Sequence, residues 1–434
     1  MDLISTRNAN VTANIDDALR AGLAPDGGLY VPARLPGFDP SRMDAHAALG
    51  KTALDVLSPF FEGSGLAERL DAICRDAFDL PLPITPLAGH EQVWLLELYH
   101  GPTAAFKDFA ARFLARCLGA LRADDAADQT VLVATSGDTG AAVAAAFHQR
   151  PGFRVVILYP HGRVSDRQAH MLGAFGDNVH AFEVRGDFDD CQRMVKHALA
   201  DANQVRRFGL TSANSISIGR LLPQIAYYAW AALRLGREQP IDVIVPTGNL
   251  GNALACVLAR EMGFGIDRVH LATNANRTLP DYFGGDDYRG RPGLKTLANA
   301  MDVGDPSNFE RLVWLYREHD LRDAGIDAES IDDDTIRACI RHEHAAHGLL
   351  VCPHTACALE RLARLREHGH RVPTLVAATA HPAKFETVIE PLVGESVPLP
   401  PALAELLARP ANASPLEPQP DALINALAAL DEPD

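Results

Sequence analysis

The sequence predicts an α/β protein built on parallel sheets. From about residue 91 onward, short runs rich in β-branched and aliphatic residues alternate with alanine-rich helical segments. Strands joined through helices are typical of parallel sheets, because each crossover must return the chain to the same edge. Six segments carry the strand pattern, at 92–98, 130–135, 154–160, 241–247, 268–273 and 374–379.

The two ends of the chain follow other patterns. Residues 1–90 read as mostly helical with polar and glycine breaks, which predicts an N-terminal domain of their own. The segment 396–434 is rich in proline and alanine, and we expect it to form a C-terminal tail.

The composition is that of a globular protein without a basic surface or a membrane segment. The 434 residues suffice for two or three domains. The net charge is −16, and the basic residues form no block along the chain, which argues against a nucleic-acid partner. No apolar stretch reaches the roughly 18 residues that span a membrane. Seven scattered cysteines favour reduced thiols and a cytoplasmic location over a disulfide framework.

Three of the predicted strands run into loops that could bind a ligand. These loops are "SGDTG" at 136–140, "GNLGN" at 248–252 and "AHPAKF" at 380–385. In parallel sheets, ligands bind at the carboxyl ends of the strands. If the three strands are neighbours, the loops form one shared site.

The glycine loop 248–252 can bind a phosphate without a basic side chain. Glycine lets backbone N–H groups turn inward, and the start of the following helix adds positive potential. The alternative is an ordinary turn in which Asn252 caps the helix. The loop matches neither the P-loop nor the dinucleotide pattern, which disfavours nucleotide chemistry.

The loop 136–140 offers polar groups at a second helix start. Ser136, Asp138 and Thr139 stand beside backbone donors that could bind a carboxylate or a phosphate. The alternative is a simple cap in which Asp138 complements the helix dipole.

Lys107 is an unusual residue in this chain, which contains 35 arginines and only five lysines. It stands between Phe106 and Phe109, where burial would lower the pKa of its amine and make it available as a nucleophile or base. The alternative is an amphipathic helix whose lysine extends to water beside Asp108.

Arg220 lies in "TSANSISIGRLLPQ" (211–224), after polar donors and before an apolar helix. A guanidinium suits a phosphate dianion because it donates two parallel hydrogen bonds. The alternative is one more surface arginine.

Two histidine- and cysteine-containing segments could suggest a metal. They contain His342, His344 and His347 in "HEHAAH", and Cys352, His354 and Cys357 in "CPHTAC". Neither has the ligand spacing of a structural zinc site, so we expect no metal there. A serine nucleophile elbow is also absent, since no GxSxG occurs.

Taken together, the motifs resemble the threonine synthase family. "HGPTAAFKDFAAR" is similar to the pyridoxal-phosphate lysine motif of that family. "SGDTG", "NSISIGRLLPQ", "PTGNLGN" and "ATAHPAKF" follow in the family's order, and "GLAPDGGLYVP" and "MDVGDPSNFER" resemble its long microbial and fungal class. The resemblance covers roughly residues 4–395.

The resemblance implies pyridoxal-phosphate fold type II, the fold of the tryptophan synthase β subunit. The expected domains are an N-terminal domain, a large cofactor-binding domain, a smaller mobile substrate domain and a tail. Their boundaries would be 1–90, 91–125 with 241–395, 126–240 and 396–434.

The resemblance also implies a cofactor site for pyridoxal 5'-phosphate. Lys107 would hold the cofactor as a Schiff base, Thr379 would meet the pyridine nitrogen, and Asp138 would contact the cofactor or orient its loop. The phosphate would lie in the loop of Gly248, Asn249, Leu250, Gly251 and Asn252.

The implied reaction converts O-phospho-L-homoserine and water to L-threonine and phosphate, the last step of threonine biosynthesis. Arg220, helped by Asn214 and Ser215, would bind the leaving phosphate. Ser136 and Thr139 would hold the substrate carboxylate. The enzyme would be a monomer or homodimer.

Two alternatives remain at this point. One is a sister lyase of the same fold, such as a threonine dehydratase, which would not need the second phosphate site at Arg220. The other is a non-catalytic homologue that binds a phosphorylated metabolite. The chain departs from the family at Cys352, where the family carries an acidic residue.

Overall fold

The computed structural model describes residues 1–123 and 127–431 and has the predicted α/β architecture. Two sheets of six and five strands, parallel except for one edge strand of the larger sheet, lie beside a small antiparallel sheet near the N-terminus. Residues of all three regions share one main hydrophobic core, and a second, smaller core lies on the five-stranded sheet.

The N-terminal segment combines three helices with an antiparallel sheet in the order β2-β1-β3. Its first helix begins at a polar cap, where Asn14 accepts a hydrogen bond from the Asp17 N–H group at 2.9 Å. The strands were not predicted, because two or three residues are too short to show alternation. The elements are β1 Leu3–Ser5, β2 Thr12–Ala13, α1 Ile15–Ala21, β3 Tyr30–Pro32, α2 Leu49–Leu57 and α3 Leu70–Ala77.

The chain then starts the large sheet, builds the second sheet, and afterwards returns to the large one. The first part comprises β4 Ile84–Pro86, β5 Val93–Glu97 and α4 Lys107–Leu121. The second part comprises β6 Gln129–Ala134, α5 Asp138–Phe147, β7 Phe153–Pro160, α6 Asp166–Gly173, β8 Val179–Val184, α7 Phe188–Ala200, α8 Ala202–Phe208, β9 Leu210–Ser212 and α9 Ile218–Leu235.

The return to the large sheet adds four strands. Its elements are β10 Ile241–Pro246, α10 Gly251–Glu261, β11 Ile266–Thr273, α11 Thr278–Phe283, α12 Phe309–Leu315, β12 Ile326–Ser330, α13 Asp333–His347, α14 Pro353–Glu367, β13 Thr374–Ala378 and α15 Glu386–Val393. The chain ends with α16 Pro401–Leu407, β14 Ser414–Leu416 and α17 Pro420–Ala429. Short 3-10 turns lie at Pro40–Arg42, Ser58–Phe61, Ala67–Arg69, Asn299–Met301, Leu321–Asp323 and Pro382–Phe385.

The large sheet has the order β12-β11-β10-β13-β5-β4, in which only β4 is antiparallel. The second sheet is parallel throughout, in the order β14-β8-β7-β6-β9. Every residue of β10 is buried, as expected for a central parallel strand covered by helices on both faces.

The three loop-bearing strands are not all neighbours, which corrects one expectation. Strands β10 and β13 pair side by side in the large sheet, whereas β6 belongs to the second sheet. The shared site therefore lies between two sheets rather than along the edge of one.

The proposed domain boundaries remain a prediction, and two features of the sheets bear on them. Strand β4, which lies before residue 91, pairs with β5 in the large sheet. Strand β14, from the predicted tail, pairs with β8 and extends the second sheet. The expected boundary at 125–126 lies outside the described residues.

Within residues 1–123 and 127–431, none of the helices combines the length and the apolar character needed to cross a bilayer.

Helix α4 packs into the core through aromatic contacts, and their contribution to stability can be tested by substitution. Phe113 is fully buried, and its ring lies 5.9 Å from that of Phe61 and 6.2 Å from that of Phe78. We expect Phe113→Ala to lower the free energy of unfolding by about 3–5 kcal/mol, because it removes an aromatic ring and leaves a cavity. Urea-induced unfolding measures the loss. Leu399→Ala, at a side chain that is 41% exposed, is the control and should cost about 0.5 kcal/mol or less.

Candidate active site

Lys107 is the first residue of α4, and the segment before it is fixed to the end of β13. The Phe106 N–H group donates to the Thr379 carbonyl at 2.9 Å, and the His381 N–H group donates to the Ala104 carbonyl at 3.0 Å. Ala104 has a φ of 54°, an uncommon conformation for alanine that this bridge holds in place. The bridge keeps the backbone at Lys107 close to the end of β13, where Thr379 lies.

The Lys107 amine lies in a partly buried, mixed environment. Its Nζ atom is 5.6 Å from the centre of the Phe106 ring. Burial lowers the pKa of Lys107 to about 8; Lys384 and Arg220 lower it as well, whereas Asp138 opposes the shift. At pH 7 about a tenth of the amine is therefore uncharged, far more than for an ordinary lysine, and the uncharged form is the nucleophile.

A cavity of about 1710 Å³ opens between the two parallel sheets. Every residue that the sequence nominated for the cofactor or the substrate lines it. The helix starts at Lys107 in α4, Asp138 in α5 and Gly251 in α10 all reach the cavity. The positive ends of these three helix dipoles make the electrostatic potential in the cavity favourable for anions.

The loop 248–252 has the shape of a cradle. A Cβ atom at Gly248 would lie 2.6 Å from the Met301 Cα atom, so only glycine fits there. Leu250 has a φ of 62° and precedes the first residue of α10. Asn249 is fixed in place because its Nδ2 atom donates to the Ser215 hydroxyl at 2.7 Å.

Asn252 is not the helix cap that the simple-turn alternative supposed. That cap position belongs to Leu250, which has no side-chain hydrogen bond to the helix. The Oδ1 atom of Asn252 instead accepts hydrogen bonds from the Tyr227 and Tyr228 hydroxyls, at 3.1 and 2.5 Å. Its Nδ2 atom is buried without a partner in the described part of the chain.

Five residues that line this cavity carry a buried polar atom with no hydrogen-bond partner among residues 1–123 and 127–431, and such atoms call for an explanation. The residues that line it and carry a buried atom without a hydrogen bond are Asn214, Arg220, Asn252, Asn299 and His354. The unpartnered donors among these atoms are Arg220 Nε and Asn252 Nδ2. With the glycine cradle and the Lys107 amine, these two donors fit a phosphorylated carbonyl cofactor.

Arg220 is buried, not a surface charge. It lies in the first turn of α9, is 3% exposed, and donates from NH1 to the Ala213 carbonyl. Its Nε atom has no partner among the described residues. Burial lowers the pKa of Arg220 to about 10, with Asp108 and Tyr227 opposing, so the side chain remains a cation at neutral pH.

Asp138 forms a buried ion pair with Lys384. The Lys384 Nζ atom lies 2.6 Å from Asp138 Oδ1 and donates to the Thr103 carbonyl at 2.9 Å. Burial raises the pKa of Asp138, but Lys384 and Lys107 outweigh burial and hold the pKa below its ordinary value. The negative charge of Asp138 is thereby neutralised, and it does not repel an anionic ligand.

His354 is a cavity residue that sequence reasoning left out of the site. Its Nε2 atom accepts a hydrogen bond from the Ala300 N–H group at 3.2 Å, and its Nδ1 atom has no partner within the described residues. Burial lowers the pKa of His354 to about 4, so the ring is neutral. The only sequence signal was the "CPHTAC" segment, whose spacing suggested a metal rather than a cavity.

Gln168, which contacts the cavity residues Asp138 and Asn299, was also not predicted. No motif in the neighbouring sequence indicates such a role. Its side chain donates to Asp138 at 3.1 Å and accepts from Asn299 at 2.9 Å. These contacts join residues far apart in the chain, and only the folded structure brings them together.

Cys352, where the chain departs from the family, acts as a helix cap. Its Sγ atom accepts from the Thr355 N–H group at 3.5 Å at the start of α14. A carboxylate can make the same contact, so a thiol can replace it without changing the helix start. Of the other residues in "HEHAAH" and "CPHTAC", His344 pairs with Glu395 at 2.8 Å, and Cys357, like Cys352, is a buried free thiol.

Comparisons with known proteins agree with this site. Family models described as "Threonine synthase N terminus", "Pyridoxal-phosphate dependent enzyme" and "Threonine synthase, C-terminal" match residues 2–78, 79–377 and 355–426. A threonine synthase of Haemophilus influenzae is 37% identical over 412 residues, which cover 93% of this chain and 94% of that protein.

Solved structures show the same relationship. The crystal structure of threonine synthase from Escherichia coli superposes with a TM-score of 0.90 at 36% identity, covering 99% of this chain and 100% of the other. A threonine synthase from Brucella melitensis, solved with bound PLP, gives a TM-score of 0.90 at 32% identity, with both chains fully covered. With this cavity, these matches show that the chain belongs to the threonine synthase family of pyridoxal-phosphate-dependent, fold type II lyases.

Proposed function

We propose that the chain converts O-phospho-L-homoserine and water to L-threonine and inorganic phosphate. The observation that carries this proposal is one cavity with a partly neutral lysine, a glycine cradle and a separate buried arginine. The cradle provides a place for the phosphate of the cofactor. Arg220 provides a second cation for the phosphate of the substrate.

The residues present fit pyridoxal phosphate. We propose that Lys107 binds it covalently, that the loop 248–252 holds its phosphate, and that Thr379 faces its ring nitrogen. When bound, the cofactor supplies an electron sink for the carbons of the substrate. The unpartnered Nδ2 atom of Asn252 and the start of α10 support the phosphate position. Asp138 orients the loop 136–140, since Gln168 and Lys384 hold its carboxylate.

The substrate is bound by groups on the other side of the cavity. Arg220, with Asn214 and Ser215, binds the phosphate that leaves from the γ-carbon. Ser136 and Thr139, with the N–H groups at the start of α5, bind the α-carboxylate. The hydrogen bond from Asn249 to Ser215 links the two phosphate positions, which supports their action on one ligand pair.

Lys107 moves the protons of the reaction. Its Nζ atom takes a proton from the α-carbon and, after releasing that proton, takes one from the β-carbon, and phosphate then leaves from the γ-carbon with the electron pair of the broken C–O bond. The γ-carbon receives a proton and becomes the methyl group, water adds its OH to the β-carbon and gives its proton to the phosphate, and the α-carbon regains a proton. The atoms of substrate and water therefore equal those of threonine and phosphate. The lowered pKa of Lys107 supports this role, because a group that exchanges protons works best near the ambient pH.

A sister lyase of the same fold is not favoured. Elimination from an unphosphorylated amino acid has no use for a second buried cation, and Arg220 would then be an unexplained desolvated charge. The cytoplasmic location, the lack of a nucleic-acid partner, the oligomeric state and the four-part domain division stay predictions. All seven cysteines are free and buried, which is compatible with a reducing compartment.

Lys107→Ala tests the reaction and the nucleophile together. We expect threonine formation from O-phospho-L-homoserine to fall by about 10³-fold or more, because the covalent link and the proton carrier are both lost. The visible absorbance of the lysine-bound cofactor should disappear. Lys196→Ala, at an exposed lysine on the rim of the same cavity, should keep both signals. A yellow, fully active Lys107→Ala variant would contradict the assignment.

Arg220→Gln tests the second phosphate position. We expect kcat/KM for O-phospho-L-homoserine to fall about 10- to 100-fold, the cost of one charge-assisted hydrogen bond, while the visible absorbance stays. Inhibition by inorganic phosphate should weaken in parallel. Arg42→Gln, at an arginine whose side chain is 86% exposed, is the matched control. Unchanged kinetics in Arg220→Gln would mean that another group binds the leaving phosphate.

Lys384→Met tests the buried ion pair. We expect the free energy of unfolding to fall by about 3–5 kcal/mol at pH 7, because Asp138 keeps a buried charge without its main partner. The ion pair contributes its full stability at pH values above the pKa of Asp138 in the unfolded chain, about 3.9. This contribution is lost as the pH falls through the lower pKa that Asp138 has in the folded protein. The difference from wild type should therefore shrink in acid. The Lys384→Met, Asp138→Asn double variant should recover part of the loss; a double variant no more stable than the single one would argue against the pair.

A further inference from the structure

A second cluster of polar side chains lies outside the cavity. It consists of His90, in the turn between β4 and β5, together with Glu343 and His347 in the last turns of α13. One possible ligand atom from each side chain lies within 4.8 Å of the other two. None of the three lines the cavity between the sheets. Their arrangement therefore needs an explanation other than the proposed reaction.

Glu343 is the informative member of this cluster. It is 5% exposed, and its Oε2 atom is buried without a hydrogen-bond partner in the part of the chain that the structure describes. A buried carboxylate is stable when it is paired, hydrogen-bonded or bound to a metal. Two imidazole rings are the groups that stand next to it.

The backbone brings the cluster together by two local features. Glu343 and His347 are four residues apart on α13, so their side chains leave the same face of the helix. Gly89 has a φ of 79°, and a Cβ atom there would lie 2.3 Å from the His347 ring. The absence of a side chain at Gly89 is thus what lets the turn that carries His90 close against His347.

We propose that His90, Glu343 and His347 bind a divalent transition metal of the zinc type. Two imidazole nitrogens and one carboxylate oxygen are a donor set that zinc accepts, with water in the fourth position. Ligand atoms that lie about 2.0–2.2 Å from a tetrahedral ion are about 3.4 Å from one another. Small side-chain rotations would shorten the distances between the three ligand atoms, now within 4.8 Å of one another, to this value. The ion would fasten the β4–β5 turn to the end of α13, a structural role.

The second histidine–carboxylate cluster of the described residues does not offer the same site. It consists of Asp242, His270 and His370, and the Asp242 carboxylate lies 3.1 Å from His270 Nε2 and 2.7 Å from His370 Nε2. Asp327, outside the cluster, lies 2.7 Å from His270 Nδ1. Both ring nitrogens of His270 are thus occupied by carboxylates. The carboxylate of that cluster is therefore already paired with imidazoles, whereas the Glu343 Oε2 atom has no hydrogen-bond partner within residues 1–123 and 127–431.

The test is zinc binding by the holoenzyme after dialysis against a chelator. Wild type should take up one zinc ion in competition with a chromogenic chelator, and zinc should raise its thermal unfolding midpoint. Glu343→Gln and His90→Ala should each weaken binding at least about tenfold, and zinc should no longer stabilise Glu343→Gln. Visible absorbance of the bound cofactor verifies that each variant is folded.

His344→Ala is the matched control, since His344 is on the same helix but pairs with Glu395 at 2.8 Å. It should bind zinc as wild type does. Two results would overturn the proposal: a wild type that binds zinc no more tightly than Glu343→Gln, or a His344→Ala variant that loses affinity as much as His90→Ala. Either result would mean that zinc binds nonspecifically to surface histidines and not to this cluster.

Discussion

The buried ion pair between Lys384 and Asp138 is the interaction on which the arrangement of the cavity depends. Lys384 follows β13 of the large sheet, and Asp138 begins α5, the helix that follows β6 of the second sheet. The same ammonium group donates to the Thr103 carbonyl, in the segment that leads to Lys107. One desolvated cation therefore joins both parallel sheets and the lysine loop. Because a buried charge is costly to leave unpaired, the three segments are held together strongly.

This constraint also explains how an anion-binding cavity can contain an aspartate. The start of α5 contributes a helix dipole that favours a carboxylate or a phosphate, and Lys384 cancels the charge that Asp138 would otherwise add. The same ammonium lowers the pKa of the Lys107 amine, as burial does to a greater extent. A structural cation thus supports the electrostatics of the proposed chemistry without needing to touch the substrate.

Much of the α/β fold could be predicted because parallel strands are short, apolar and separated by helices. All six strands expected from the sequence are present, with ends shifted by at most two residues. Most of those missed lie at sheet edges, as β4, β9, β12 and β14 do. Edge strands such as Ile326–Ser330 carry polar residues and pair on one side only, so their sequences lack the buried pattern.

The sequence by itself determined which loops follow strands, where glycine permits a tight turn, and which lysine stands among phenylalanines. These are local properties, set by backbone freedom and by neighbours in the chain. Only the tertiary structure decided that Arg220 is buried, that Asp138 is neutralised by Lys384, and that His90 meets Glu343. Burial and pairing depend on segments that are distant in sequence, and a local motif contains no information about which distant charge will desolvate or neutralise it.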